Sequence, residues 1–279
     1  MSREPRFAAN CTLLFTELPV NDRARAARDA GFDGVEFWWP FATATPDPGE
    51  LDDFVGGVEA SGLPLVGLNF FAGQLPGPDR GILSWPGREG EFAQNVAAIV
   101  EIAGRLGTRS FNALYGNAQE GVDEATWRDV ALRNLATAAE AVAPLGGQVL
   151  LEAVSGSPSY PLKTGLDVAT EIARVRARTG ATNVSMLADV YHLTVNGDDY
   201  AAVLRTSPDL VGHVQYADFP GRHEPGTGDL DLGELLRVLA EIGYGAWVAF
   251  EYQPSGTTQD HLAWLAPPST IASPDGDRS

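Results

Sequence analysis

Apolar residues along this chain follow two alternating patterns. Segments such as FAQNVAAIVEIAGRL (92–106) and LGELLRVLAEIG (232–243) repeat their apolar positions every three or four residues, the spacing of one helix face. Between such segments lie short runs that are apolar nearly throughout. Six helix-like segments end at a glycine, namely Gly31, Gly62, Gly107, Gly146, Gly180 and Gly243. Glycine just past a helix end supplies the left-handed residue that terminates it. The runs that follow these glycines are FDGVEFWW, LPLVGLN, TRSFNALYG, GQVLLEAV, ATNVSMLADV and YGAWVAFEY. RFAANC at the start, and HVQYAD, reached through SPDLVG without that glycine, complete a set of eight. Continuous apolar strands belong in a parallel sheet covered by helices. Eight strand–helix units predict an α/β protein, a (β/α)8 TIM barrel forming a single domain over residues 1–266. The remainder, 267–279, is rich in Pro, Ser and Asp and reads as a mobile C-terminal tail. A doubly wound open sheet is the competing architecture, but no G-x-G-x-x-G follows the first strand.

Barrel enzymes carry their chemistry at the C-terminal ends of the strands. Here Glu152, Asp189, Gln215 and Glu251 occupy those ends on strands five to eight, at similar depth in otherwise apolar runs. Any one of these acids could pair with an arginine or cap a helix. Three carboxylates converging in a buried place need a compensating positive charge, and a hard divalent cation with oxygen ligands provides it. His192 follows Asp189 by three residues, where strand six turns into its loop, and is expected to bind substrate. Arg222 and His223 lie in the loop directly after strand seven, a connector with far more charge than a turn requires. Asn69, on strand three, is a further expected substrate contact. Glu36 and Asn112 are polar at strand depth and read either as contacts to the substrate or to the residues that bind it, or as hydrogen-bonded core residues. Trp38, Trp39, Phe70 and Phe71 form either a substrate wall or ordinary aromatic packing. His213 is expected to be structural, and His261 to sit on an outer helix.

Composition narrows the function classes. Of 279 residues, 37 are acidic and 19 basic, a formal charge of −18 that repels a phosphate backbone and argues against a nucleic-acid partner. It leaves room for a small anion met by a local arginine. No apolar run reaches the roughly 18 to 20 residues needed to span a bilayer, and the N-terminus lacks a secretory pattern. A cytoplasmic protein without a membrane partner is expected. Cys11 is the sole cysteine, which excludes an intrachain disulfide and a cysteine-based metal cluster. Lys163, the sole lysine, follows the loop after strand five and is poorly placed for Schiff-base chemistry. G-x-S-x-G and P-loop patterns are absent, as is any cradle for flavin or nicotinamide.

Taken together, FAANCTLLFTELP, GFDGVEFWWP, LLEAV, DVYH, HVQYAD, GRHEP and FEYQP resemble the hydroxypyruvate isomerase family of xylose-isomerase-like TIM barrels. The resemblance runs from Phe7 to about Trp264, with the motifs in the family's order. GRHEP is the more family-specific element, whereas the Glu, Asp, Gln and Glu at the strand ends are shared with a wider group of sugar isomerases and epimerases. The resemblance implies that Glu152, Asp189, Gln215 and Glu251 hold one Mg2+ or Mn2+. It also implies that Glu152 and Glu251 form an acid–base pair, passing a proton through an enediolate between hydroxypyruvate and tartronate semialdehyde. His192 and Arg222 would bind substrate oxygens, Arg222 being suited to a carboxylate, and His223 of the same loop is also expected to bind substrate. A 2-oxo-tetronate isomerase or a ketose 3-epimerase would use the same site. A non-catalytic metabolite-binding barrel is the reading from another class, and a metal-dependent endonuclease is disfavoured by the acidic charge. The loops NFFAGQLPGPDRG and SGSPSYPL depart from the family pattern and are where specificity for a small oxo acid or sugar would be set. Self-association, as in a homo-oligomer, is left open by the sequence.

Overall fold

The computed structural model describes residues 5–75 and 77–265; the expected tail at 267–279 lies outside them. Eight strands are present: β1 (Arg6–Asn10), β2 (Gly34–Phe37), β3 (Leu65–Asn69), β4 (Ser110–Asn112), β5 (Gln148–Glu152), β6 (Val184–Asp189), β7 (Val211–Tyr216) and β8 (Trp247–Phe250). Each pairs in parallel with the next, and β1 pairs with β8, so the sheet closes on itself as a TIM barrel. The Arg6–Trp247 to Ala9–Phe250 register at that seam excludes the open doubly wound sheet.

The helices form the outer layer: α1 (Val20–Ala30), α2 (Pro48–Ser61), α3 (Glu89–Leu106), α4 (Glu124–Val142), α5 (Gly165–Thr179), α6 (Val190–Val195), α7 (Tyr200–Thr206) and α8 (Leu232–Glu241). All six glycines expected to end helical segments have φ between +67° and +98°. None of the described helices is long and apolar enough to cross a membrane.

The strands are less uniform than their sequences suggest. Successive side chains alternate between the two faces of a strand. Ala9, Val35, Val214 and Phe250 pack into the main core, which includes helix residues such as Ala27, Val168 and Leu239. Ala8 and Ala249 belong to a separate small cluster closed by Trp247. Two positions further along stand Asn10, the last residue of β1, and Glu251, the residue just after β8. The inner face is therefore small and apolar near the floor and polar at the C-terminal mouth. Gly34 has a packing role at the floor: a Cβ there would lie 2.9 Å from Val66 Cγ1 and 3.0 Å from the Trp247 ring. Only glycine lets β2 pass that ring closely.

Candidate functional site

Glu152, Asp189, Gln215 and Glu251, from β5 to β8, are all buried at the mouth of the barrel. Glu152 Oε2 accepts a hydrogen bond from Asn112 Nδ2 at 2.8 Å. Asp189 does two jobs. Its Oδ1 accepts from the His192 backbone N–H at 3.0 Å, capping α6, and its Oδ2 stands 3.8 Å from His192 Nε2. Because this cap starts a helix directly from the strand end, His192 sits in α6 and not in a loop. His192 Nε2 is also 3.8 Å from Glu152 Oε1. Glu152, Asp189 and His192 present donor atoms within 4.8 Å of one another.

Gln215 is held by its amide nitrogen, which donates to Glu36 Oε1 at 2.6 Å and Glu251 Oε2 at 2.7 Å. Both partners are carboxylates, which accept, so the NH2 must face them and Oε1 must face away. That Oε1 is buried and has no hydrogen-bond partner. A buried carbonyl oxygen without a donor is costly unless something else satisfies it. Together with Glu152, Asp189 and Glu251 it forms an all-oxygen set that suits a hard divalent cation.

Glu251 is the most constrained acid. Its Oε2 accepts from Asn10 Nδ2 (2.7 Å), Gln215 Nε2 (2.7 Å) and Trp38 Nε1 (3.1 Å), and its Oε1 meets Arg222 Nη2 at 2.5 Å. Beneath it, Glu36 is fixed by Asn10 and Gln215 on one oxygen and by His213 Nε2 at 2.7 Å on the other. His213 is thus a buried support, as its position in the strand suggested.

Electrostatics follow from burial. Burial pushes the Glu152 carboxyl well above the usual range, and the charges of Asp189 and Glu251 add to it, against the Asn112 hydrogen bond and Arg222. Burial likewise raises Glu251; Arg222 opposes this, while Asp189 and Glu36 reinforce it. Burial depresses His192 to about 4, with Arg222 and Arg80 adding to the fall and Asp189 resisting it, so the ring is neutral at pH 7. One arginine does not balance these acids, and a bound dication would complete the balance.

The loop after β7 accounts for its own polarity. Buried Asp218 accepts four backbone N–H groups, from Phe219 and Leu230 on Oδ1 and from Gly226 and Gly228 on Oδ2, at 2.8 to 3.0 Å. Arg222 then turns into the site with φ +60°. Glu224 accepts from the Ser255 backbone N–H at 3.1 Å and pairs with His261 Nδ1 at 2.8 Å, joining this loop to the segment after β8. His261 lies in a short 3-10 turn (Thr258–His261), not on an outer helix. His223 does not reach the cavity: its ring bonds the Gln253 carbonyl oxygen at 2.7 Å. Asp218→Asn places an NH2 against backbone donors, and we expect a loss of about 3 kcal/mol in urea unfolding, with reduced turnover because Arg222 loses its seat. Unchanged stability would show that these four bonds do not hold the loop.

A cavity of about 240 Å³ opens above the site, lined by Trp38, Asn69, Arg80, Glu152, His192 and Arg222, among others. This lies below the ~300 Å³ at which drug-sized pockets begin and suits a small metabolite. Of the four rim aromatics, Trp38 alone lines it. Trp39 donates to the Thr43 carbonyl oxygen, Phe70 packs on Phe92 and Phe111, and Phe71 lies beneath Arg88. Lys163 contacts the Ser157 carbonyl oxygen away from the cavity, as expected. Two residues were not singled out from the sequence. Asn10 ends β1 as a polar residue in an apolar run, a signal that was available. Arg80 lay unmarked within the long loop after β3.

A family model described as xylose isomerase-like TIM barrel matches residues 24–267. A Streptomyces coelicolor protein named as a candidate hydroxypyruvate isomerase is 46% identical over 94% of this chain and 96% of its own length. A Cupriavidus necator protein named 2-oxo-tetronate isomerase is 33% identical over 94% of this chain and 98% of its own. A Brucella melitensis crystal structure, titled as an AP endonuclease of family 2, is 34% identical with a TM-score of 0.84, covering 94% of this chain and 98% of that one.

Proposed function

Because the chain belongs to the xylose isomerase-like TIM-barrel family and is an isomerase of the hydroxypyruvate isomerase type, we propose that it interconverts hydroxypyruvate and tartronate semialdehyde at this site. The observation that carries this reading is the pair of buried glutamates, Glu152 and Glu251, which face one small cavity and whose burial favours the protonated form. A carboxyl that holds its proton more tightly than usual is suited to taking a proton from carbon and returning it.

In the forward direction one glutamate removes a proton from C3 of hydroxypyruvate, and the electron pair moves through an enediolate. A proton is returned to C2, while the hydroxyl proton on O3 passes to O2. No atom is gained or lost. Glu152 accepts one bond from a neutral amide, whereas Glu251 is held by a guanidinium and three further donors. Fewer donors leave Glu152 the more basic of the two, and we assign it the removal of the C3 proton. When bound, a divalent cation held by Glu152, Asp189, Gln215 Oε1 and Glu251 would supply positive charge beside the substrate oxygens.

His192 has a different role. The Ser155 backbone N–H donates to its Nδ1 at 3.2 Å, and Ser155 Oγ lies 2.7 Å from the same nitrogen. A neutral ring that accepts at Nδ1 carries its proton on Nε2. Nε2 therefore serves as a donor to a substrate oxygen. A ligating histidine usually has the opposite arrangement, donating through its second nitrogen. Asn69 and Arg222 complete the polar wall, and His223 acts through the loop it fastens.

The Cupriavidus necator relative favours a second substrate, a 2-oxo-tetronate, which presents the same carbonyl and carboxylate with one more carbon. A nuclease reading fits poorly with a formal charge of −18. Proton NMR of hydroxypyruvate with the magnesium-loaded protein in D2O tests the proposal. We expect tartronate semialdehyde to appear with deuterium incorporated, and EDTA to stop its formation. Neither conversion nor exchange on hydroxypyruvate, with conversion of a 2-oxo-tetronate, would transfer the activity to the longer acid.

A further inference from the structure

Two arginines line the cavity, and their surroundings differ. Arg222 already has its charge paired, with Nη2 2.5 Å from Glu251 Oε1 and 3.9 Å from Asp189 Oδ2, although its buried Nε has no hydrogen-bond partner. Arg80 meets only neutral acceptors: Nη1 donates to the Ser155 carbonyl oxygen at 3.0 Å, and Nη2 to that of Gly156 at 3.3 Å. Among the described residues, no carboxylate lies within ion-pair distance of it. In a chain with 37 acidic and 19 basic residues, a cavity arginine without an acidic partner is conspicuous. A guanidinium has five N–H donors, so three remain after the two carbonyls are satisfied.

We propose that Arg80 recognises the substrate carboxylate and so selects oxo acids over neutral ketoses. The inference rests on the oxo-acid reading above and moves the carboxylate from Arg222, where the resemblance suggested it, to Arg80. Its backbone shows that the side chain is directed. Among the described residues three other than glycine have a left-handed φ, and two of them are these arginines, Arg80 at +52° and Arg222 at +60°. Non-glycine residues persist in that region when the surrounding structure holds them there. Around Arg80 the hold is clear: Gly116 N–H donates to the Arg80 carbonyl oxygen at 3.2 Å, Asn117 N–H to that of Asp79 at 3.0 Å, and Gly81 N–H to that of Ala72 at 2.9 Å.

The same segment also sets Arg80 in register with the reacting groups. Ser155, whose carbonyl oxygen receives Arg80, bonds His192 Nδ1 through its own N–H and Oγ. Arg80 and His192 line the same cavity of about 240 Å³, and in so small a space one acid can meet both. A planar guanidinium matches a carboxylate with two parallel bonds. The neutral counterpart of hydroxypyruvate, with CH2OH in place of the carboxylate, is dihydroxyacetone, which gains nothing from this fork.

The test compares the magnesium-loaded enzyme with Arg80→Gln and Arg80→Lys, each first shown to melt as the unaltered protein does. Hydroxypyruvate kinetics and calorimetric binding of glycerate and dihydroxyacetone are then measured. With Arg80→Gln we expect KM for hydroxypyruvate and Kd for glycerate to rise about 10- to 100-fold, the range for one charged hydrogen-bonded contact. We also expect kcat to stay within about threefold and dihydroxyacetone binding to be unchanged. Arg80→Lys, which keeps the charge and loses the fork, should recover part of the affinity and serves as the test if Arg80→Gln does not fold. Equal weakening of glycerate and dihydroxyacetone, or unchanged KM and Kd, would overturn the assignment. If the unaltered protein binds glycerate through Arg80 yet converts no oxo acid, the proposed reaction fails while the recognition stands.

Discussion

Glu152→Gln should lower turnover of hydroxypyruvate by about 10² to 10⁴-fold, the range general acid–base groups contribute, in a protein that keeps its barrel. The amide retains an oxygen for Asn112 Nδ2, which now bonds Glu152 Oε2 at 2.8 Å. It also removes a carboxylate whose charged form is disfavoured by burial and by Asp189 and Glu251. In the presence of EDTA the variant should therefore melt at or above the unaltered protein at pH 8. Glu251→Gln should lose activity to a similar extent but behave less simply. Its carboxylate accepts from Asn10, Gln215, Trp38 and Arg222, and an NH2 in that place would confront one of these donors. Stability and the seating of Arg222 should both suffer. NMR turnover beside circular-dichroism melts separates the two effects. Activity of Glu152→Gln within tenfold of the original would end the two-glutamate mechanism.

The second large effect concerns metal and pH together. In the folded, metal-free protein burial raises both Glu152 and Glu251, so they hold protons at pH values where the unfolded chain has released them. The folded state then binds more protons than the unfolded one, and stability falls as pH rises. His192 acts in the opposite sense, but only between about 4 and its ordinary value of 6.5. Above pH 6.5 the glutamates decide the sign among these three groups. The melting temperature in EDTA should thus decline from pH 6.5 to 8.5, and magnesium should raise it more at the upper end. Because the ligand carboxyls must be deprotonated, calorimetry at pH 7 in buffers of different ionisation enthalpy should report net proton release as the ion binds. A metal-free melting temperature that climbs over this interval, or binding without proton release, would show that the acids are not arranged around a cation.

The loop after β7 illustrates how far a linear reading reaches. Its unusual charge is evident from HVQYADFPGRHEPG, and Arg222 lines the cavity. The division of labour was not evident. Asp218 serves as a hub for four backbone amides, and His223 and Glu224 fasten the loop to the segment after β8. The Asp218 bonds close the loop over 1 to 12 positions and the fastening contacts span 30 and 31, and no helix or strand periodicity announces either set. Asn112 is similar: it reads as a buried amide on a strand, yet it touches Glu152 directly.

By itself the sequence determined the architecture and the depth of the four polar strand-end residues. Helix-ending glycines, helical periodicity and apolar runs are local signals, because backbone conformation and side-chain facing depend on near neighbours. Tertiary structure alone decided which atoms face the cavity. Closure of β8 onto β1 brings Asn10 to Glu251, 241 positions away, and pairs Glu36 with Gln215, so that a glutamine amide points its nitrogen at two carboxylates and leaves Oε1 free. It also latches the loop after β3 to the loop after β5, which brings Arg80 beside the same cavity as Glu152 and His192. The physical reason is that an orientation set by hydrogen bonds exists only once distant donors and acceptors have been brought within about 3 Å.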